Sequence, residues 1–347
     1  MSYFKKYIPA IAAVIMVLIG LSISYLQTLK EPEQYKAGYL DVFDTVTEFI
    51  GYGETQEEFK DKANHLNEEL IVYHKLYDIY NEYEGVNNLR TINQNAGISP
   101  VVVDTKIIDL LKFSKDLYSK TNGKINIAMG SVLSIWHKYR SYGKELPPME
   151  DLQEAAKHCD INHVIIDEVA STVYLADPEM SLDVGSIGKG YAVQMVAEYA
   201  RECGYQNMVI NCGGNVAAIG TKASGENWKF GIQNPDLESS NNLLKTVSIT
   251  NQCLVTSGDY QRFYVVDGVE YCHIIDPDTL MPADYFSGVS IICDNSGLAD
   301  ALSTALFNMP YEDGLVLINS IENAEAIWVY EDGTIKYSEN FEDYIVE

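Results

Sequence analysis

The chain has 347 residues, with 24 Lys and Arg against 50 Asp and Glu, so its formal charge is −26 and its pI is near 4.5. At 47% apolar and 21% charged residues it reads as globular, which excludes disorder, collagen and coiled coil as the main architecture. With no basic run longer than Lys5-Lys6, so acidic a chain repels phosphate backbones and is no nucleic-acid binder; its carboxylates suit divalent cations where they converge.

From the N-terminus, 23 uncharged residues run from Tyr7 to Leu29, bounded by Lys6 and Lys30. At about 1.5 Å rise per residue, the apolar core of this stretch can cross a bilayer interior of about 30 Å. Lys5 and Lys6 precede it, and Glu31 and Glu33 follow close behind. That bias predicts a cytoplasmic stub and a signal-anchor helix over 1–29, a polar linker over 30–38, and an extracytoplasmic domain over 39–347. The expected location is the cell membrane, as a single-pass protein. Two other readings stand beside it: a cleaved signal peptide, with Ser22-Ile23-Ser24 as a weak processing site, and a buried core helix.

Next, YLDVFDTVTEFIGYG (39–53) reads as a strand. Residues 55–83 place Leu66, Leu70, Tyr73, Tyr77 and Tyr80 three or four apart, which predicts a long amphipathic helix. A second helix is expected over 104–121, stopped by Asn122-Gly123. Short β-like runs follow: VIID, TVYLAD, NMVINC, WKFGIQ, TVSIT, RFYVV, VSIIC and AIWVY. Helices are expected among them near 190–203, 296–308 and 311–320. The fold class is therefore α+β (mixed α/β), with one compact domain after the N-terminal helix. Six cysteines form no CxxC pair, and several lie in apolar runs, so buried free thiols are expected.

Four segments could carry chemistry. Ser181-Leu-Asp-Val-Gly-Ser-Ile-Gly-Lys-Gly190 is a glycine-rich turn feeding a helix, a good anion site with Lys189 adding charge. It is not a Walker A loop, and a purely structural glycine turn explains it equally well. Asn211-Cys-Gly-Gly-Asn-Val-Ala-Ala-Ile-Gly220 reads first as a hairpin and second as a ligand loop. His273 stands in an apolar run beside Asp276-Pro277, among dense polar neighbours; structural and site readings are balanced. In Ala299–Phe307, helical spacing sets Asp300, Ser303 and Thr304 on one face. Three oxygens on an apolar helix need partners: a hard cation such as Mg²⁺ would serve, and so would a hydrogen-bonded core.

In this order the segments resemble the FAD:protein FMN transferases, the ApbE-like flavin transferases. The likeness begins at FDTVTEFIGY (43–52) and continues through NNLRTINQNAG (87–97), INIAMGSVLSIWH (125–137) and LDVGSIGKGYAV (182–193). It extends over NCGGNVAAIG, WKFGIQNP, TSGDYQR, HIIDPDT and ADALSTALF, nine motifs in order. One departure is Leu280, which stands where the family's DPxTGxP has glycine.

The resemblance implies an enzyme that splits the FAD pyrophosphate with Mg²⁺, Mn²⁺ being the alternative. FMN passes to a Thr hydroxyl of an acceptor protein, and AMP leaves. It implies Asp300, Thr304 and Ser303, with Ser186, as the metal-binding set. Phe43, Tyr83, Asn126, Ile127, Ala128, Asp183, Lys189 and Ile274 fall where the family contacts FAD, with Tyr80 as fallback for Tyr83. His273 matches the family's histidine, a base or positioner for the acceptor Thr, and Asp300 is its catalytic companion. The implied acceptor carries a D-[GAS]-x-[ST]-[GA]-T-like site, of which this chain has no clear copy. An FAD pyrophosphatase and a non-catalytic FAD-binding module share these residues and remain alternatives.

Overall fold

A computed structural model describes residues 33–260 and 262–346, together with Met16. The apolar stretch 7–29 lies outside this range but for that one residue. Among the described residues no helix is long and apolar enough to cross a membrane.

The chain opens with a hairpin, β1 (Glu33–Val42) and β2 (Thr45–Gly53), followed by α1 (Gln56–Tyr77) and α2 (Leu89–Gln94). Then come β3 (Val101–Val102), α3 (Thr105–Lys120), α4 (Gly130–Tyr142), α5 (Met149–Ala156), β4 (Val164–Asp167) and β5 (Thr172–Leu175). Helix α6 (Gly188–Glu202) leads into β6 (Met208–Cys212), β7 (Asn215–Ile219), β8 (Trp228–Gln233), β9 (Leu243–Ile249) and β10 (Cys253–Gly258). A second hairpin, β11 (Phe263–Val266) and β12 (Val269–Cys272), precedes β13 (Gly288–Cys293), α7 (Ser296–Phe307) and α8 (Tyr311–Asn319). The chain closes with β14 (Glu325–Val329), β15 (Ile335–Tyr337) and β16 (Ile345–Val346).

Eight strands form one antiparallel sheet in the order β1-β2-β6-β7-β10-β13-β14-β15. Successive side chains on a strand face opposite ways, and here both faces are covered. Met208, Ile210 and Cys212 of β6 and Val289 and Ile291 of β13 join a core shared with α1, α6 and α7. Their neighbours Val209 and Ile292 join a second core built on Trp228, Val247 and Phe341, under the β16-β9-β8 sheet. Two buried faces explain why VINC and VSIIC are continuous apolar runs without alternation. A third, smaller core gathers Trp136, Leu152, Tyr264 and Leu280 beneath the β11–β12 hairpin. This is the α+β (mixed α/β) class expected. The six cysteines are all free; Cys212, Cys253, Cys272 and Cys293 are buried as expected, whereas Cys159 is half-buried and Cys203 exposed.

Three expectations are corrected. Residues 33–38, read as linker, belong to β1: Tyr35, Ala37 and Tyr39 pack inward while their polar neighbours face out. The single strand read over 39–53 is two, divided by a turn in which Phe43 and Asp44 both have φ 51°. The long helix stops at Tyr77 rather than running to residue 83, because the Asp78 carboxylate takes over as a turn centre. It accepts from the backbone N–H of Tyr80 (2.6 Å) and Asn81 (3.1 Å) and from the Tyr83 hydroxyl (2.7 Å).

Candidate functional site

The loop before α6 is held from both sides. Asn93 clamps Leu182, accepting from its N–H (2.7 Å) and donating to its carbonyl (2.9 Å). Asp183 N–H donates to Ile127 O, and Gly130 N–H donates to Ser181 O, each at 2.9 Å. The Asp183 carboxylate accepts from Gly185 N–H at 2.8 Å, folding the loop back on itself. A cavity of about 430 Å³ opens here, lined by Asp183, Ser181, Tyr80, Arg90, Asn93 and His137. Its size is that of a small-molecule site.

The expected flavin contacts divide around this cavity. Asp183 lines it. Tyr80 lines it too, with its hydroxyl 3.1 Å from His137 Nδ1. Tyr83 does not: its hydroxyl is committed to Asp78, and with Phe43 it packs around His74. Phe43 N–H donates to His74 Nδ1 at 3.2 Å. Ile127 and Ala128 are buried, so their side chains serve the core, and Ile127 meets the loop through its carbonyl. Asn126 braces the same segment, accepting from Ala128 N–H and donating to Cys159 O, both at 2.9 Å. Ile274 is likewise a core side chain.

Helices α6 and α7 meet at Gly190. Its N–H donates to Asp300 Oδ2 at 2.7 Å. A Cβ at this position would stand 2.4 Å from Asp300 Cβ and 2.4 Å from Ser296 O, so glycine is what allows the approach. One residue earlier, Lys189 Nζ donates to Asn215 Oδ1. Asn215 follows the Gly213-Gly214 turn of the β6–β7 hairpin, so the GGN segment is a hairpin that also delivers a side chain here. The Asn215 amide nitrogen is buried without a hydrogen-bond partner among the described residues.

Of the expected metal set, Ser303 drops out. Its hydroxyl is fully buried, donates to Asp300 O (2.9 Å) and shares a hydrogen bond with Ser257 Oγ (2.7 Å). The hydrogen-bonded core explains it without a cation. Asp300 keeps one oxygen, Oδ1, beyond the Gly190 bond, and Thr304 lies one helical turn on. Ser186 sits in the loop leading to Gly190. No group of three or more His, Cys, Asp or Glu that could hold a metal occurs among the described residues. One carboxylate, hydroxyl and carbonyl oxygens nonetheless fit a cation such as Mg²⁺, which binds through one or two carboxylates, water and substrate phosphate.

His273 follows β12. Its backbone N–H and its Nδ1 lie 3.1 and 3.2 Å from Arg262 O. A carbonyl accepts and cannot donate, so Nδ1 carries the proton and Nε2 keeps its lone pair. Burial pushes the imidazole pKa down to about 4, and the guanidinium groups of Arg262 and Arg140 push the same way. The ring is therefore a neutral base at pH 7.

The turn after His273 shows what the departure at Leu280 means. Leu280 has φ 61°, the left-handed region that glycine enters freely. Its N–H donates to Asp276 O (2.8 Å), and its carbonyl accepts from the Trp136 indole (2.9 Å). Lys124 holds the turn by ion pairs to Asp276 (2.7 Å) and Asp278 (2.8 Å). Leu280 thus occupies a backbone conformation suited to glycine, and its side chain packs into the Trp136 core.

The ApbE family model matches residues 43–328. The chain belongs to the ApbE family. A FAD:protein FMN transferase of Treponema pallidum is 32% identical over 272 residues, covering 74% of this chain and 74% of that protein. A FAD:protein FMN transferase of Klebsiella pneumoniae is 31% identical over 239 residues, covering 69% and 73%. The solved ApbE protein of Thermotoga maritima superposes with a TM-score of 0.81 at 26% identity, over 91% of this chain and all of that one.

Within this ApbE fold, sequence reading missed Asn93, His137, Arg140, Asn215 and Arg262 as parts of the site. Asn93 and His137 lay inside quoted motifs, but their partners are 89 and 57 residues away, a distance no local pattern reveals.

Proposed function

We propose that the chain is a FAD:protein FMN transferase that moves FMN from FAD to a Thr hydroxyl of an acceptor protein and releases AMP. The observation that supports this reading best is the junction at Gly190. It sets one carboxylate, Asp300, against a glycine-rich helix start carrying Lys189, within a chain of the ApbE family. Helix N-termini and lysine suit a pyrophosphate, and a single carboxylate suits the Mg²⁺ that accompanies one.

In the reading we favour, Asp300 and Thr304, with Ser186, hold Mg²⁺, with Mn²⁺ as the alternative. The cation would neutralise charge on the phosphate oxygens. Asp183, Tyr80 and Lys189 orient FAD. The acceptor Thr oxygen attacks the FMN-side phosphorus, its proton goes to His273 Nε2, and the bond to the AMP oxygen breaks. The product is a phosphoester on Thr, and AMP departs as a phosphate monoester. The apolar stretch 7–29 would tether the domain on the outer side of the cell membrane, where the acceptor would be an extracytoplasmic flavoprotein.

The test is coupling. Full-length protein with FAD, Mg²⁺ and a folded acceptor domain should release one AMP per flavin attached, and EDTA should stop both. AMP release at the same rate without acceptor would replace the transferase by a pyrophosphatase. Bound FAD that stays intact would leave a binding module.

A further inference from the structure

Tyr264 lies on β11, its ring buried edge-on to Trp136 (centroids 6.4 Å apart) and beside Tyr271 (6.0 Å). The residue is 8% exposed, and its hydroxyl is buried with no hydrogen-bond partner among the described residues. Burying an unpaired hydroxyl is costly, whereas phenylalanine would fill the same space at no such cost.

The same tyrosine lines a small, largely enclosed cavity of about 10 Å³, together with Trp136, His137, Arg140, Cys272 and His273. That is room for about one water, and a bound water needs two to four polar partners. This lining offers the orphaned hydroxyl, two imidazoles and a guanidinium. His137 is shared: it also lines the 430 Å³ cavity, where its Nδ1 meets the Tyr80 hydroxyl.

We propose that this cavity binds one ordered water, held by the Tyr264 hydroxyl, that joins the His273 imidazole to His137, so that Tyr264 and His137 are positioning residues for His273. The inference rests on the role given to His273 under the proposed function. The water fixes the ring that Arg262 O already holds at Nδ1. It also gives the proton taken from the acceptor a way out. His273 as imidazolium would face Arg262, Arg140 and His137, which all disfavour a second positive charge. Once the modified Thr has left His273 Nε2, the proton there passes to the water, from the water to His137 Nε2, and from His137 Nδ1 to the Tyr80 hydroxyl, which is 59% exposed. Each group releases one proton as it accepts one, and the final acceptor is solvent.

Tyr264→Phe in the full-length enzyme tests this. The expected result is a kcat lowered about 5- to 20-fold, an unchanged KM for FAD, an altered acid limb of the pH–rate profile, and a melting temperature that is not raised. A Tyr264→Phe enzyme with unchanged kcat and pH profile, and a raised melting temperature, overturns the water, because it is what removing an unused hydroxyl does. His137→Phe should reproduce the loss and His137→Gln, which can still hydrogen-bond, should recover part of it; equal loss in both contradicts the positioning role. His273→Asn separates the two levels. Inactive His273→Asn beside unaltered Tyr264→Phe removes the water alone, whereas active His273→Asn removes the assigned base and the proposed mechanism with it.

Discussion

Gly190 donates its backbone N–H to Asp300 Oδ2 at 2.7 Å, joining two residues 110 positions apart in sequence across the junction of two helices. The bond fixes the carboxylate that would meet the cation, and it exists because residue 190 has no side chain. Gly190→Ala would drive a methyl to within 2.4 Å of Asp300 Cβ and Ser296 O. Overpacking of this kind costs about 1–3 kcal/mol. The expected outcome is a lower melting temperature together with weaker Mg²⁺-dependent turnover, read by calorimetry and steady-state kinetics. A variant as stable and active as the parent would show that the two helices do not need this approach.

Asp300→Asn keeps an oxygen to accept from Gly190 and removes the charge. Transfer should fall by about 100-fold or more, the scale of losing one preorganised electrostatic contact. Stability should change little. Parallel measurement of turnover and thermal unfolding checks both halves; full turnover with Mg²⁺ would remove Asp300 from the metal set.

Leu280 is held at φ 61°, which costs a non-glycine residue about 1–2 kcal/mol. Its side chain is also buried in the Trp136 core, worth about 1.5–3 kcal/mol. The two effects oppose each other, and burial is the larger. Leu280→Gly should therefore destabilise the fold, by about 1 kcal/mol, although it restores the family's residue. Denaturant unfolding gives the sign directly, and a more stable glycine variant would mean that backbone strain dominates.

The depressed pKa of His273 makes two linked predictions. A base with a pKa of about 4 stays neutral well below pH 6.5, so the acid limb of kcat should fall near pH 4 to 5. For stability the sign is set by proton uptake. Between about pH 4 and 6.5 the unfolded chain carries more protons on this group than the folded one, so its effect on stability is fully favourable above 6.5 and is lost as pH falls through that window. His273→Asn should flatten that part of the stability–pH curve. A curve of unchanged slope would show that the ring titrates normally.

The helices α3, α6, α7 and α8 were legible because their apolar residues recur with the helical period between clear stop signals. Asp300 and His273 stand out in the sequence because each lies in a motif of the family resemblance, while the roles given to them above are proposals. Strand β1 was not, since Glu33, Lys36 and Asp41 mask an alternation that becomes visible when Tyr35 and Tyr39 are seen packing inward. The sequence ranks Tyr83 before Tyr80, and it could not show that the Asp78 carboxylate takes the Tyr83 hydroxyl while Tyr80 meets His137 at the cavity. Ser303 shows the converse. Helical spacing put it beside Asp300, but a bond to Ser257 on another element satisfies it.

The most direct measurement is intact and peptide-level mass spectrometry of an acceptor domain after incubation with the full-length protein, FAD and Mg²⁺. Flavin transfer predicts a gain equal to FMN minus water, located on one Thr, absent with EDTA and absent with His273→Asn. An acceptor that stays unmodified while FMN and AMP accumulate in solution would contradict transfer and assign the same site to hydrolysis.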